Sequence, residues 1–319
     1  MGERRFNFSW RTLQMSEVSA FIGIGRMGGP MARNLARNAN TLGRRVRVYD
    51  KSASAITACK DAGADVADSL SEVVDGADVI FSMVPAGPDV RSLYMDEGGI
   101  FDTAPKGALL IDCSTIDVAT AQEVAKAARE RGFRMLDAPV SGGVAGAEAA
   151  TITFMVGGEA SDLEEVRPQL EKMGAKIVHC GPSGMGEAAK ICNNMITGIS
   201  AVAVAESYAI GQRLGLDPKI LYDVVSTSSG QTNIGTRNPP IAGIVETASA
   251  NRDFEPGFTI ALMLKDLRLS QAAAKQVDQA SPVGAAAAEI FALAANSGLA
   301  HLDTAGVFKL IAGNQPPPK

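Results

Sequence analysis

The chain has 319 residues, enough for two domains with complete cores, of which 46% are hydrophobic and only 5% aromatic. Its net charge of −5 comes from 30 basic and 35 acidic residues, which are interspersed and leave no basic surface for nucleic acid. Four cysteines (Cys59, Cys113, Cys180, Cys192) lack metal-ligand spacing and only His179 and His301 accompany them, so reduced core thiols and no metal site are expected.

Residues 1–16 precede the first predicted strand. Arg4, Arg5 and Arg11 alternate there with Phe6, Phe8, Trp10 and Leu13, the pattern of a short presequence, although Glu3 opposes it and a plain extension fits equally. A presequence would mean the mitochondrial matrix in a eukaryote; otherwise a cytoplasmic location is expected. The apolar stretch 18–24 then runs into Gly23-Ile24-Gly25-Arg26-Met27-Gly28 and a helix-like tail over 30–36. Strand, glycine turn and helix in this order form the setting for a dinucleotide. Gly23 would allow the tight turn, Gly25 the approach of a pyrophosphate, and Gly28 close packing of helix on strand. Free amides at the helix start would meet the phosphate charge.

A second strand over 46–50 ends in Asp50. A carboxylate there accepts hydrogen bonds from adenosine ribose hydroxyls and repels a 2′-phosphate, which favours NAD over NADP. Lys51 and the nearby arginines pull the other way, and a surface insertion over 39–44 accounts for the long interval after the glycines. Further strands are predicted at 78–84, 108–112, 134–137, 152–156 and 176–180. Helices such as 119–131 and 162–173 lie between them, closed by Gly132 and Gly174 as C-caps would be. This alternation predicts an α/β, Rossmann-type, doubly wound and mostly parallel sheet over residues 17–181. Val84-Pro85 and Cys113-Ser114-Thr115 stand at carboxyl ends of strands, where such sheets bind ligands.

The run Asp137-Ala138-Pro139-Val140-Ser141-Gly142-Gly143 carries a strand into a hydroxyl and successive amides, a nest suited to a carboxylate. Taken alone, Ser-Gly-Gly is more often a flexible loop. After residue 181 the pattern becomes helical. A stretch over 187–214 is apolar on nearly every face, and helices follow at 219–225, 259–275 and 284–297. An all-helical second domain over 182–319, entered by one long buried helix, is predicted. Lys190, Asn193, Asn194 and Glu206 make 188–210 a poor membrane span. Lys190 and Asn194, four residues apart, face the same way. A lysine in low dielectric has its charged form disfavoured and enters the range of a proton acceptor; the plainer account is an ammonium snorkelling to solvent. Neighbouring side chains Lys265 and Asp266 cannot bridge on one helix face, so each is expected to find another partner. The tail with Pro316, Pro317 and Pro318 is expected to be disordered.

Together these motifs resemble the β-hydroxyacid dehydrogenases, most closely the members that act on 3-hydroxyisobutyrate. The matching segments are 21–32, 112–117 (Asp-Cys-Ser-Thr-Ile-Asp), 137–144, 154–158 (Phe-Met-Val-Gly-Gly), 188–195 (Ala-Ala-Lys-Ile-Cys-Asn-Asn-Met) and 265–267. They occur in family order and span nearly the whole chain from about residue 18. The resemblance implies NAD-dependent oxidation of 3-hydroxyisobutyrate to methylmalonate semialdehyde in valine breakdown, by a homodimer or homotetramer. It implies Lys190 as the catalytic lysine, Asn194 as its substrate-orienting neighbour, and Ser141, Gly142 and Gly143 as the holders of the substrate carboxylate. Val84, Pro85, Asp89 and Thr115 would line the nicotinamide side, with Lys265 closing over it. Asp89 stands where relatives often carry Asn. Arg26 also replaces a frequent Asn, with its side chain expected to point outward. The alternatives are an NADPH-dependent glyoxylate or succinate semialdehyde reductase, which Asp50 disfavours, and a non-catalytic dinucleotide-binding protein, which the retained lysine disfavours.

Overall fold

Buried runs of Val, Ile, Leu and Phe with no polar face suit strands covered on both sides, the environment of a parallel sheet. The structure, a computed structural model, describes residues 17–313; the N-terminal extension and the proline tail lie outside the described residues. Among the described residues, nine strands form one sheet: β1 (Glu17–Ile22), β2 (Arg44–Tyr49), β3 (Asp65–Val66), β4 (Val79–Ser82), β5 (Leu109–Asp112), β6 (Arg134–Asp137), β7 (Val140–Ser141), β8 (Ile152–Gly157) and β9 (Gly174–Gly181). Their order is β3-β2-β1-β4-β5-β6-β8-β7, with β9 also paired to β8. Strands β1 to β6 are mutually parallel, whereas β8 runs antiparallel to β6 and β7. The strand order reverses between β1 and β4, so a cleft opens beyond their carboxyl ends.

Helices cover both faces. Met31 and Leu35 of helix Gly28–Arg37 and Leu163 and Val166 of helix Ala160–Leu170 pack on one side, around the stacked rings of Phe21 and Phe81. Tyr94, Phe101 and Val124 pack on the other. After β9 the chain enters helix Met185–Arg213, which is long and apolar enough to span a bilayer by length and composition. Here it forms part of a core, with Tyr208 against Ile260, Met263, Leu267 and Phe291 from helices Ile260–Gln276 and Pro282–Ala294. Asp303 organises the loops of this helical unit, accepting hydrogen bonds from Asn238 Nδ2 (2.7 Å) and the Gly257 amide (3.0 Å).

Three local expectations are corrected. Residues 39–44 are not all surface insertion: helix Ala39–Leu42 turns through Gly43 (φ 67°), and Arg44 opens β2 as a buried residue. Its guanidinium donates to Ser19 Oγ (2.6 Å), Glu17 (2.6 Å), Asp78 (2.5 Å) and the Val18 carbonyl (3.2 Å), tying together the starts of β1, β2 and β4. Gly174 does not close a helix but begins β9, where a Cβ would crowd the Ile152 carbonyl oxygen; Gly132, at φ 82°, does follow the end of helix Val118–Glu130. Finally, Cys59 and Cys113 are core residues, but Cys180 is half-buried and Cys192 exposed, on the outer side of the long helix.

Arg44→Met should lower stability by about 2–3 kcal/mol, because its acceptors lose charged hydrogen bonds. Urea unfolding would show a lower midpoint at unchanged slope. A variant within about 0.5 kcal/mol of wild type would mean that the cluster is a surface ornament.

Candidate active site

The glycine loop lies at the carboxyl end of β1, and its three glycines have different reasons to be glycine. Gly23 has φ 84°, and a Cβ there would collide with the Met83 carbonyl oxygen. A Cβ on Gly28 would collide with the Gly23 carbonyl oxygen. Gly25 is exposed, and a Cβ on it would meet nothing within 4 Å. No protein atom requires that glycine, so the space beside it fits an external group. Helix Gly28–Arg37 begins at Met27 without a side-chain cap and without an acid in its first turn. Its free amides therefore suit a pyrophosphate.

Asp50 fixes this loop. Its Oδ2 accepts the Ile24 amide and its Oδ1 the Ser52 amide, both at 2.8 Å. Each oxygen retains a lone pair that a ribose hydroxyl could use. The nearby arginines are committed elsewhere: Arg45 to Asp65 at 2.7 Å, and Arg47 to the Glu72 and Asp75 carbonyls. Lys51 is exposed. Arg26, expected to point outward, is exposed and reaches across the cleft to donate to the Pro256 carbonyl at 2.6 Å.

At the ends of β4 and β5 the structure brings Val84, Pro85, Thr115 and Lys265 together. The Val84 amide donates to Ser114 Oγ (2.9 Å), and Lys265 Nζ donates to the carbonyls of Thr115 (2.6 Å) and Pro85 (3.4 Å). Asp89 is exposed in the first turn of helix Gly87–Met95.

The long helix enters from the other side. The Asp137 carboxylate, at the end of β6, accepts the Gly184 amide (2.7 Å) and the Glu187 amide (3.1 Å), occupying the helix N-terminus as a capping anion. One turn on, Lys190 is only 6% exposed and donates from Nζ to the Val140 carbonyl at 2.7 Å. Val140 and Ser141 form β7, and Gly142 (φ 143°) and Gly143 (φ 65°) turn the chain into helix Gly143–Glu148. Lys190 and the Ser141 turn are thus adjacent. Asn194 is also buried; its Nδ2 donates to Asp266 Oδ2 at 2.5 Å and its Oδ1 accepts from Asn193. Lys265 Nζ lies 3.3 Å from Asp266 Oδ1. That corrects the expectation for this adjacent pair: the flexible lysine stem bends back to its neighbour, and each residue also has the second partner foreseen.

Burial lowers the pKa of Lys190 below the ordinary lysine value, opposed chiefly by the charge of Asp266 and assisted by Lys265. The sequence assigned no site role to Asp266, Glu187 or Asp112. Asp112 lies beside Asp137 in the sheet register, accepts from Ser82 Oγ and Ser114 Oγ at 2.7 Å each, and is raised to about 6 by burial. Glu187 was signalled only by its place three residues before Lys190 on an apolar helix.

Two families match the chain. Residues 19–181 match the NAD binding domain of 6-phosphogluconate dehydrogenase, and residues 184–311 match the NAD-binding domain of NADP-dependent 3-hydroxyisobutyrate dehydrogenase. The chain is 44% identical to a 3-hydroxyisobutyrate dehydrogenase of Pseudomonas aeruginosa over 92% of its own length and 98% of that protein. It is equally 44% identical to an NAD-dependent L-serine dehydrogenase of the same organism, over 91% of this chain and 96% of that one. A solved structure of Mycobacterium tuberculosis 3-hydroxyisobutyrate dehydrogenase with L-serine superposes at a TM-score of 0.85 with 42% identity, covering 94% of this chain and all of that one. The chain belongs to the β-hydroxyacid dehydrogenase family: it is an oxidoreductase of CH–OH groups with a nicotinamide dinucleotide cofactor, NAD.

Gly25→Ala should leave thermal unfolding unchanged, since its Cβ meets open space, yet weaken NAD binding by about tenfold or more. Titration calorimetry on the folded variant checks this. Equal affinity would move the pyrophosphate away from the loop.

Proposed function

Taking family membership as its premise, we propose that this enzyme oxidises the primary hydroxyl of a small 3-hydroxy acid, with 3-hydroxyisobutyrate as principal substrate and valine breakdown as its setting. One observation carries the reading: a buried amine, Lys190, held at the Val140 carbonyl immediately before the Ser141-Gly142-Gly143 turn. NAD, when bound, supplies the acceptor for the carbinol hydrogen and its electron pair. The Ser141 hydroxyl and the Gly142 and Gly143 amides receive the substrate carboxylate. Asn194, its amide fixed by Asp266, orients the hydroxyl. Lys190, in its neutral form, takes the hydroxyl proton as the carbonyl forms. Positioning of this kind lowers barriers by roughly 7–11 kcal/mol in well-oriented systems. Asp50 supports NAD over NADP, because a 2′-phosphate would meet a carboxylate whose neighbouring arginines are already engaged. The reductase alternative therefore loses its main requirement.

A specific observation favours L-serine as a second substrate. Asp266 is buried beside Asn194, and its Oδ1 has no hydrogen-bond partner, only the ion contact with Lys265. An N–H donor on C2 of the substrate would satisfy it. We also propose that the enzyme is a homodimer or homotetramer. Exposed Ile196, Ile210, Leu214, Val277 and Val283 on the helical unit support that assembly.

Turnover of 3-hydroxyisobutyrate and of L-serine, each with NAD⁺ and with NADP⁺, tests the reading; failure of both acids with NAD⁺ would sink it. Lys190→Met should reduce kcat by about 10²–10⁴-fold, the range of a lost general base, while NAD affinity is retained. The oxidation rate should climb with pH as the Lys190 ammonium loses its proton, with a midpoint below that of a free lysine, because only the amine accepts a proton. A rate flat from pH 6 to the ordinary lysine range, about 10.4, would exclude Lys190 as the base.

A further inference from the structure

Three carboxyl groups converge beneath the site, and their hydrogen bonds are unevenly shared. Asp112 accepts from two hydroxyls and Asp137 from two helix amides. Glu187 is fully buried, yet it accepts only the Ile116 amide through Oε2, at 3.2 Å, and its Oε1 has no hydrogen-bond partner. Neither ammonium in the neighbourhood donates to it: Lys190 is bound to Val140 and Lys265 to Thr115. The groups facing Glu187 are Asp112 at the end of β5 and the Cys113 thiol just after it, Asp137 from β6, Lys265 from helix Ile260–Gln276, and Lys190 on its own helix. An ionised Glu187 would be a third anion in one buried cluster with a single amide to support it, a costly state.

We propose that Glu187 keeps its proton and acts as a neutral positioning residue, tying the lysine-bearing helix to the Thr115–Ile116 segment without giving Lys190 an anionic partner. The inference rests on Lys190 being the base. A carboxylate one turn away on the same helix face would stabilise the ammonium and hold back the amine that accepts the proton. A neutral carboxyl keeps the acceptor for Ile116 and leaves burial to set the state of Lys190. Burial together with Asp112 and Asp137 raises the Glu187 pKa well above its ordinary range.

The test uses Glu187→Gln and Glu187→Leu with two readouts. The first is thermal unfolding of the unliganded protein against pH. A carboxyl with a raised folded pKa contributes stability below its ordinary value that is lost as pH rises through the folded one. Gln has no such loss. Glu187→Gln should therefore gain on wild type between pH 5 and pH 8, by about 2–4 °C. A difference independent of pH would overturn the proposal. The second readout is the pH profile of kcat/KM. The acid limb, set by Lys190, should stay in place in Glu187→Gln, and Glu187→Leu should raise the KM for NAD⁺ without moving that limb. A limb displaced downward by about one unit in Glu187→Gln would show an ionised Glu187 supporting the ammonium and overturn the proposal. If wild type oxidises neither 3-hydroxy acid, the reading of Lys190 fails instead, while the unfolding series still decides the protonation of Glu187.

Discussion

The contact between the Asp137 carboxylate and the amides of Gly184 and Glu187 is the joint on which the molecule turns. A helix N-terminus carries several unpaired donors and a partial positive charge. Placing it against the last residue of β6 satisfies both with one side chain. That single anchor sets the depth and rotation of helix Met185–Arg213, so Lys190 arrives at Val140, three residues along from Asp137. The fit has no slack, because a Cβ on Gly186 would press into the Met155 and Asp137 carbonyl oxygens. Lys190 and the Ser141-Gly142-Gly143 turn are therefore placed by the same short segment, 137–143, with the anchor at its start and the turn at its end. Small errors in the packing of the helical unit are not transmitted to their separation.

Burying this many ionisable groups costs free energy, and the structure offsets it unequally. Asp137, with its backbone donors, and Asp112, with its hydroxyls, have hydrogen bonds that favour their charged forms even as burial raises both pKa values. Lys265 is less buried and shares its charge between a carbonyl and Asp266. Lys190 receives the least support for its charge, a single carbonyl acceptor in a buried setting. A structural lysine would ordinarily be given a carboxylate at hydrogen-bond distance. Its absence here is what suits Lys190 to alternate between amine and ammonium.

The parts legible in the sequence were those governed by local rules. Gly23, Gly25 and Gly28 could be assigned different duties from spacing; in the structure Gly23 has a positive φ, Gly28 abuts the Gly23 carbonyl and Gly25 borders open space. The parallel strands were visible as apolar runs, while β3 and β7, two residues each, were too short to produce a pattern. The misses are all non-local. Arg44 reads as a surface cation until strands 17–22 and 79–82 bring Glu17 and Asp78 to it. Gly174 looked like a helix end because nothing in its surroundings reveals the Ile152 carbonyl that excludes a side chain. Asp266 could be seen beside Lys265, but its partner Asn194 lies 72 residues away.

The reach of Arg26 to Pro256 adds a last consequence. This bond joins the dinucleotide loop to a stretch of the helical unit whose backbone is held by Asp303 through Gly257 and Phe258. Lys265 makes a second link, from the helical unit to the Pro85 and Thr115 carbonyls. Both links cross the same cleft, one beside the glycine loop and one beside the Pro85 and Thr115 carbonyls. Both use a cation against a main-chain carbonyl. A guanidinium or ammonium is bound there firmly enough to define the spacing of the two units, yet less firmly than by a carboxylate. Anionic phosphate entering beside Gly25 would compete for Arg26, whereas Lys265 is held in addition by the Asp266 carboxylate. The two clasps therefore differ in how readily the cofactor can open them, and the cleft should loosen first at its phosphate end.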